Sequence, residues 1–362
     1  MKKYDANEYM DNTFASKADR DDGNISKNII QKPTTQYTNT FPETFYKGDI
    51  NPLKKRILTQ NLNIDTRFRE AYNSTDSSNF HTTLPHKFTN IVSMELSSFE
   101  FSHTFYMVSE KIGNNFFQIT KEVNGTPESM MIIIPDGNYI GSDMITYLNE
   151  YTAVYTNVDG YANFTNIHFF LDANTTTGTN TGSGRIIISS FEIIYAPPLT
   201  YPIVDISGSQ PFTVNFQTDI YGNLDLYTPL QKKLGWLIGF RSSVYAANAS
   251  YVSEGILDMS GIKYMYLSVN DFNNSVNNSF YGVFQKSVLN NNILARIPIL
   301  EPYYSVDSQS NRSAIVTQPR EYFGPVAVQK LHIQLLDEYG VPIYMNNMDY
   351  SFCLTFKMIY DL

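Results

Sequence analysis

Five histidines (His81, His86, His103, His168 and His332) and one cysteine, Cys353, carry the widest range of chemistry in this 362-residue chain. A zinc site on a helix needs two imidazoles four residues apart, and a thiolate site needs at least two cysteines. Neither spacing occurs, so the histidines read as structural residues of strands and Cys353 as a small residue of a core strand. Gly178–Gly184 is glycine-rich but lacks the Lys-Ser/Thr that closes a phosphate loop, which makes it a turn. No Gly-x-Ser-x-Gly elbow is present. Asp219-x-x-Gly222-Asn223-x-Asp225 gathers oxygens of the kind Ca²⁺ takes, without the frame and closing Glu of an EF-hand. The acidic pair Asp337-Glu338 sits in a turn, where solvation accounts for it. The expectation is a protein with no catalytic residue, no cofactor and no metal, and not an enzyme.

Three arginines differ from the rest. Arg67 and Arg69, placed on the first strand, and Arg320, just before Tyr322-Phe323-Gly324-Pro325, stand beside aromatic residues in segments with few other charges. They are expected to make cation–π or carboxylate contacts that lock strands within the chain or, as the alternative, an interface.

The elements that position these residues are strands. Thr89–Tyr106 alternates polar and apolar side chains with period two, Val92, Met94 and Leu96 on one parity and Phe99, Phe101 and Phe105 on the other. The slip at Ser97-Ser98 predicts a β-bulge that keeps both series turned inward. A second alternating segment closes the chain: Phe352, Leu354, Phe356, Met358 and Tyr360. Further strands are predicted over Ile57–Phe68, Phe116–Ile119, Met130–Ile134, Ile167–Leu171, Ile186–Ile194, Phe212–Phe216, Gly235–Arg241, Lys263–Val269, Tyr281–Val288, Ala295–Ile299, Ala314–Thr317, Val326–Leu335 and Val341–Tyr344. The slip at Gln329-Lys330 marks another irregularity. One short helix is expected after Ser142 as its N-cap, with Met144, Ile145 and Leu148 on one face, and Pro229–Leu234 allows a single helical turn. Many strands separated by Gly, Pro and Asn turns describe an all-β fold, a jelly-roll-like antiparallel β-sandwich with one or two short helices.

Composition agrees. Aromatic residues make up 14% of the chain, with 27 Tyr and 24 Phe against 1 Trp, and such residues favour pleated surfaces. The net charge of −9 opposes nucleic-acid binding, which needs a basic surface. The charge is uneven. Residues 1–56 hold 10 Lys and Arg against 8 Asp and Glu, net +2, which leaves 16 against 27, net −11, for residues 57–362. One cysteine allows no internal disulfide and suits a reducing compartment. The start MKKYDANEYMD carries no signal-peptide pattern, and no run approaches the ~18 apolar residues of a membrane helix. A chain made in a cytosol, without a transmembrane segment, is the expectation.

Residues 1–56 lack sustained periodicity and read as an extended or partly disordered N-terminal arm; residues 57–362 form the β body, as one sandwich or two joined ones. Four aromatic residues of the arm, Tyr37, Phe41, Phe45 and Tyr46, are candidate contacts to a partner.

Several phrases carry a resemblance. QNLNIDTRFRE (60–70), FTNIVSMELSSFEF (88–101), GNNFFQI (113–119), IPDGNY (134–139), LGWLIGFR (234–241), LSVNDFNN (267–274), LNNNILARI (289–297) and YFGPVAVQKLHIQLLDEYG (322–340) together resemble virion proteins of nucleocytoplasmic large DNA viruses, the group that includes the giant viruses. The resemblance spans most of residues 57–362, leaves the arm unmatched and transfers no catalytic residue. It implies a minor capsid protein with a jelly-roll body, located in the virion after synthesis in the host cytoplasm. The implied partners are the major capsid protein and other minor capsid proteins, with self-association around a symmetry axis. The alternative is a vertex (penton) or fibre-like protein whose Tyr- and Asn-rich loops bind host surface glycans.

Overall fold

The computed structural model describes residues 56–173, 182–191, 193–194, 203–204, 209–273, 289, 292–310, 316–317 and 319–360. In chain order the strands are β1 (Arg56–Asp65), β2 (Asn79–Ser102), β3 (Phe116–Val123) and β4 (Thr126–Ile133), followed by helix α1 (Gly141–Val154). Next come β5 (His168–Leu171), β6 (Ile186–Ser189), β7 (Ile193–Ile194), β8 (Ile203–Val204) and β9 (Phe212–Asn215), then the one-turn helix α2 (Leu234–Leu237). The rest are β10 (Val244–Asn248), β11 (Ser250–Val252), β12 (Tyr264–Asn270), β13 (Ile293–Pro298), β14 (Val306–Ser310), β15 (Val316–Thr317), β16 (Arg320–Leu336) and β17 (Tyr350–Tyr360). Every strand pairing among the described residues is antiparallel, and the fold is an all-β, jelly-roll-like sandwich.

The spine is β2, whose 24 residues start ten residues before the alternation becomes obvious in the sequence. One of its edges is taken by β17; the other is shared by β16, along Asn79–Met94, and β14, along Ser98–Ser102. The largest sheet then runs β1-β17-β2-β16-β12-β13-β15. It curls over a core that includes Met94, Leu96, Phe99, Phe101, Leu267, Val328, Ile333, Leu335, Phe352, Leu354 and Phe356.

Irregularities in β2 keep those residues inward. Cys353 pairs with Ser98 and Leu354 with Leu96, so Ser97 is the extra residue of a bulge where the alternation slips. A second bulge was not legible: Lys357 pairs with Ser93 and Met358 with Ile91, leaving Val92 out of the ladder. Ile91, not Val92, is therefore the core residue, with Asn90 in the left-handed region at φ 59° beside it. The slip at Gln329 coincides with the largest shift, Val328 to Phe88 and then Lys330 to Thr83, which skips four residues of β2 including Pro85. Pro325 occupies the matching irregularity in β16, between the Glu321–Ser93 and Val326–Ile91 pairs. Proline has no amide hydrogen for a ladder, so bulges are where long strands tolerate it.

A second core lies between the four-stranded sheet β10-β9-β3-β4 and the three-stranded sheet β11-β6-β5, with α1 packed on it. It buries Phe117, Ile119, Met130, Ile132, Met144, Leu148, Phe169, Ile188, Val214 and Phe216. Tyr147 and Tyr151 of α1 donate to the carbonyls of Ile133 (3.1 Å) and Met131 (2.8 Å) on β4. Those carbonyls face away from β3 on an edge strand, and capping them withdraws the edge from pairing with another chain.

Several sequence expectations are corrected. Gly235–Arg241 is not a strand: Leu234–Leu237 is helical, and Gly235 there abuts the Phe216 ring so closely that a Cβ would fall 2.4 Å from it. The α1 helix begins at Gly141 with Ile140 at the N-cap, and Ser142 caps nothing; its hydroxyl donates to Asp143 instead. Val341–Tyr344 forms only an isolated bridge from Pro342 to Leu336. Ile186–Ile194 breaks into β6 and β7. Tyr281–Val288 lies outside the described residues.

Candidate functional site

Arg69 and Arg320 each serve an internal lock. Arg69 is not on β1, which ends at Asp65; it follows the 3₁₀ turn Thr66–Phe68. Its guanidinium donates to Asp349 at 2.6 Å and to the carbonyls of Thr66 and Thr75 at 2.9 Å, and stacks on the Tyr72 ring at 3.9 Å. Asp349 also accepts from Thr66 and Tyr72, each at 2.9 Å. This clasp joins the turn after β1 to the start of β17. Arg67, in the same turn, is exposed and pairs with Asp65.

Arg320 is buried at the start of β16. Its fork donates to Val269 O at 2.7 Å and Asn292 O at 2.9 Å, with Asp271 3.8 Å away. Tyr322 donates to the same carboxylate, and burial followed by the Asp271 charge pushes the Tyr322 phenol well above the ordinary tyrosine value. The planar fork meets two diverging carbonyls from two separate nitrogens held in fixed geometry, which a lysine's single nitrogen does not reproduce.

The acidic loop after β9 is built for rigidity. Asp219 accepts from the amides of Tyr221 (2.9 Å) and Asn223 (2.8 Å), and Gly222 takes φ 86°. Asp225 accepts from the amides of Tyr227 (2.9 Å) and Thr228 (3.0 Å), and from Lys233 Nζ at 2.7 Å. Its oxygens point at these donors, so the loop holds itself. Burial alone would raise the Asp225 carboxyl; the bonds from Lys233 and Thr228 outweigh it and hold the group well below the usual carboxylate range. Lys233 is buried and also donates to Thr218 O at 2.9 Å. The loop displays Tyr221, 86% exposed, and Tyr227, 93% exposed, with Ile220 and Leu224 beside them.

The glycine-rich loop has its anion already. Of Gly178–Gly184 only residues 182–184 are described, and there Asp172 accepts from the amides of Gly182 (3.1 Å) and Ser183 (3.2 Å) and from the Ser183 hydroxyl (2.5 Å). A buried carboxylate thus occupies the place a phosphate would need.

Two histidines that are far apart in sequence meet across strands. His81 pairs with His332 between β2 and β16, their rings stacked at 4.2 Å, and His332 Nε2 bonds Asn79 Oδ1 at 2.8 Å. Burial and then the His81 charge lower the His332 value. His103 is buried, with Nδ1 against Glu301 O at 3.0 Å and its other nitrogen unbonded among the described residues; burial lowers it as well. Among the described residues no group of three or more His, Cys, Asp or Glu converges as a metal site.

A cleft of about 310 Å³ is lined by Lys111, Trp236, Arg241, Lys263, Glu338 and Tyr344 among others. Trp236 carries the Arg241 guanidinium at 4.2 Å. At its rim Ser260, Asp258 and Lys263 form one cluster, with Lys263 Nζ 2.9 Å from each Asp258 oxygen and bonded to the Ser260 hydroxyl. An ammonium held by a carboxylate has no lone pair to take a serine proton, so this cluster is an ion pair with a hydroxyl attached.

The four arm residues Tyr37, Phe41, Phe45 and Tyr46 lie outside the described residues. Sequence reading placed Arg69 and Arg320 among strand-locking groups and missed their acceptors Asp349, Asp271, Thr75 and Asn292. It also missed Lys233, whose only signal was a lysine directly before an apolar run.

No family model matches the sequence, and no curated protein matches it. Among solved structures, the crystal structure of a selenomethionine-labelled mavirus penton protein is similar to this chain with a TM-score of 0.38 and 10% identity, over 84% of this chain and 100% of that one.

Proposed function

We propose that the protein is a structural component of an icosahedral virus capsid, a minor capsid protein that binds neighbouring subunits through its β body and an N-terminal arm. The single observation carrying this reading is the ordered run of virion-protein phrases through residues 60–340, which falls on a body of antiparallel β-sheets with two hydrophobic cores. The two cores support a body of two joined sandwiches. The charged groups described above hold strands and loops together, which suits a scaffold. Residues 1–56, net +2, are suited to docking on an acidic surface such as this body's own, and Tyr37, Phe41, Phe45 and Tyr46 are the anchors assigned to that contact. The major capsid protein and other minor capsid proteins are the partners this reading names. Incorporation of a chain lacking residues 1–50 into particles tests it: the truncated body folds and is excluded, and normal occupancy would overturn the role of the arm.

The rigid loop Asp219–Thr228 favours one second reading. Pre-ordered tyrosines give contact area at low entropic cost, the property of binding loops. A vertex or fibre-like protein would present Tyr221 and Tyr227 on the particle exterior to host glycans. Surface labelling of intact particles separates the two: tyrosines of an inner minor capsid protein are shielded, and those of a vertex protein react.

A further inference from the structure

The inward series of β3, Phe117 and Ile119, ends on a lysine, and the facing series of β4, Ile132 and Met130, ends on a glutamate. Lys121 and Glu128 are cross-strand partners at the end of the second core. Lys121 is only 7% exposed. Its Nζ lies 5.3 Å from the centre of the fully buried Phe164 ring, which Tyr155 covers edge-on at 5.8 Å. From the segment between α1 and β5, Asn166 brings its amide oxygen to 2.7 Å from Nζ. Asn163 of the same segment donates to Glu128 Oε2 at 2.6 Å, while Glu128 Oε1 is buried with no hydrogen-bond partner among the described residues.

An amine and a primary amide are therefore in contact against a buried aromatic ring, with the Glu128 carboxylate across the β3–β4 pair from the lysine but beyond ion-pair distance of it. The amide carbon is one covalent bond beyond the oxygen that Nζ touches, close to attack distance. We propose that Lys121 and Asn166 condense within the folded chain to an isopeptide crosslink, with Glu128 as the proton relay. Glu128, brought to the lysine through one bridging water or a change of rotamer, takes a proton from the Lys121 ammonium, and the freed amine adds to Asn166 Cγ. The new Nζ–Cγ bond forms as the Cγ–Nδ2 bond breaks. Glu128 passes that proton to the departing nitrogen, which leaves as ammonia; the second proton that Nζ sheds on becoming an amide is then taken up by the ammonia, so ammonium departs with the lysine's charge. Glu128 is restored, and no oxidant, cofactor or second substrate is consumed. Burial, opposed by the Glu128 charge, lowers the Lys121 value and so favours the neutral amine the attack needs. The bond ties β3 to the connection entering β5, closing a loop between residues 45 apart in sequence. A covalent tie of that span restricts the unfolded chain as a disulfide does, without depending on redox conditions.

Intact-mass spectrometry of the full-length protein, folded and incubated, tests this. The expected mass is that of the sequence less one ammonia, with a branched peptide joining Lys121 to Asn166 after digestion. Lys121→Arg and Glu128→Gln are expected at full sequence mass, and Asn166→Asp is expected to lose water and give the same crosslinked product. Wild-type protein at full sequence mass overturns the proposal. So does an ammonia loss that maps to a linear peptide, as a succinimide at Asn124-Gly125 would give. Should a variant fail to fold, the wild-type mass and the branched peptide decide the matter alone.

Discussion

Buried charges in this protein are costly groups whose partners are fixed by one or two neighbours, and their removal is asymmetric. Deleting one member of a buried pair costs about 3–5 kcal/mol because the other is left uncompensated. Arg320→Ala strands Asp271 and two carbonyls, and thermal or urea denaturation should show a loss of that size. Arg320→Lys keeps the charge but satisfies fewer acceptors and should lose about 1–3 kcal/mol. Asp225 gives a pH signature. Its folded value lies below the unfolded carboxylate value of about 3.9, so its contribution is fully present well above that unfolded value, from about pH 5 upward, and is lost as pH falls through the folded value. Wild-type stability should begin to fall below about pH 5, as the unfolded carboxylate starts to take up protons, and keep falling as pH drops towards the folded value. Asp225→Asn should be less stable at pH 7, where buried Lys233 loses its charged partner, and should show a flatter acid limb.

Elements here are held by devices that act on strand edges and close approaches. The α1 hydroxyls on Met131 O and Ile133 O close the β4 edge, and each such bond contributes about 1 kcal/mol. Tyr151→Phe should shift the urea midpoint by that amount, and the Tyr147→Phe/Tyr151→Phe pair should also aggregate faster on heating, because the edge is left open. Gly235 is the close approach. A methyl group there meets the Phe216 ring, so Gly235→Ala should cost about 1–3 kcal/mol through overpacking, measured by denaturant melts.

On the scale of the whole molecule, β2 gives one edge to β17 and divides the other between β16 and β14, so the first core depends on contacts between distant parts of the chain. A protein lacking residues 1–50 keeps every residue of both cores and should melt cooperatively, near the full-length temperature. Its absence from particles would then report on the arm and not on folding. The capsid reading and the crosslink stand apart: the mass measurement needs no particle, and particle incorporation needs no crosslink.

The period-two alternation of residues 89–106 and 350–360, with turn residues between strands, was enough to determine an all-β fold, because a pleated strand writes its burial directly into sequence. It also located the bulge at Ser97 and the break at Gln329, since a bulge appears as a parity slip. Val92 escaped because Ile91 and Val92 are both apolar and either could face the core. Gly235–Arg241 was misread because a short apolar run has no period to distinguish strand from helix. The aromatic neighbours of Arg69 and Arg320 marked those residues, while Asp349 and Asp271 became their partners only on folding. The same holds for Lys121 and Asn166: sequence lists the groups, and only the chain's long-range path brings the amine to the amide, because nothing local fixes the distance between residues 45 apart.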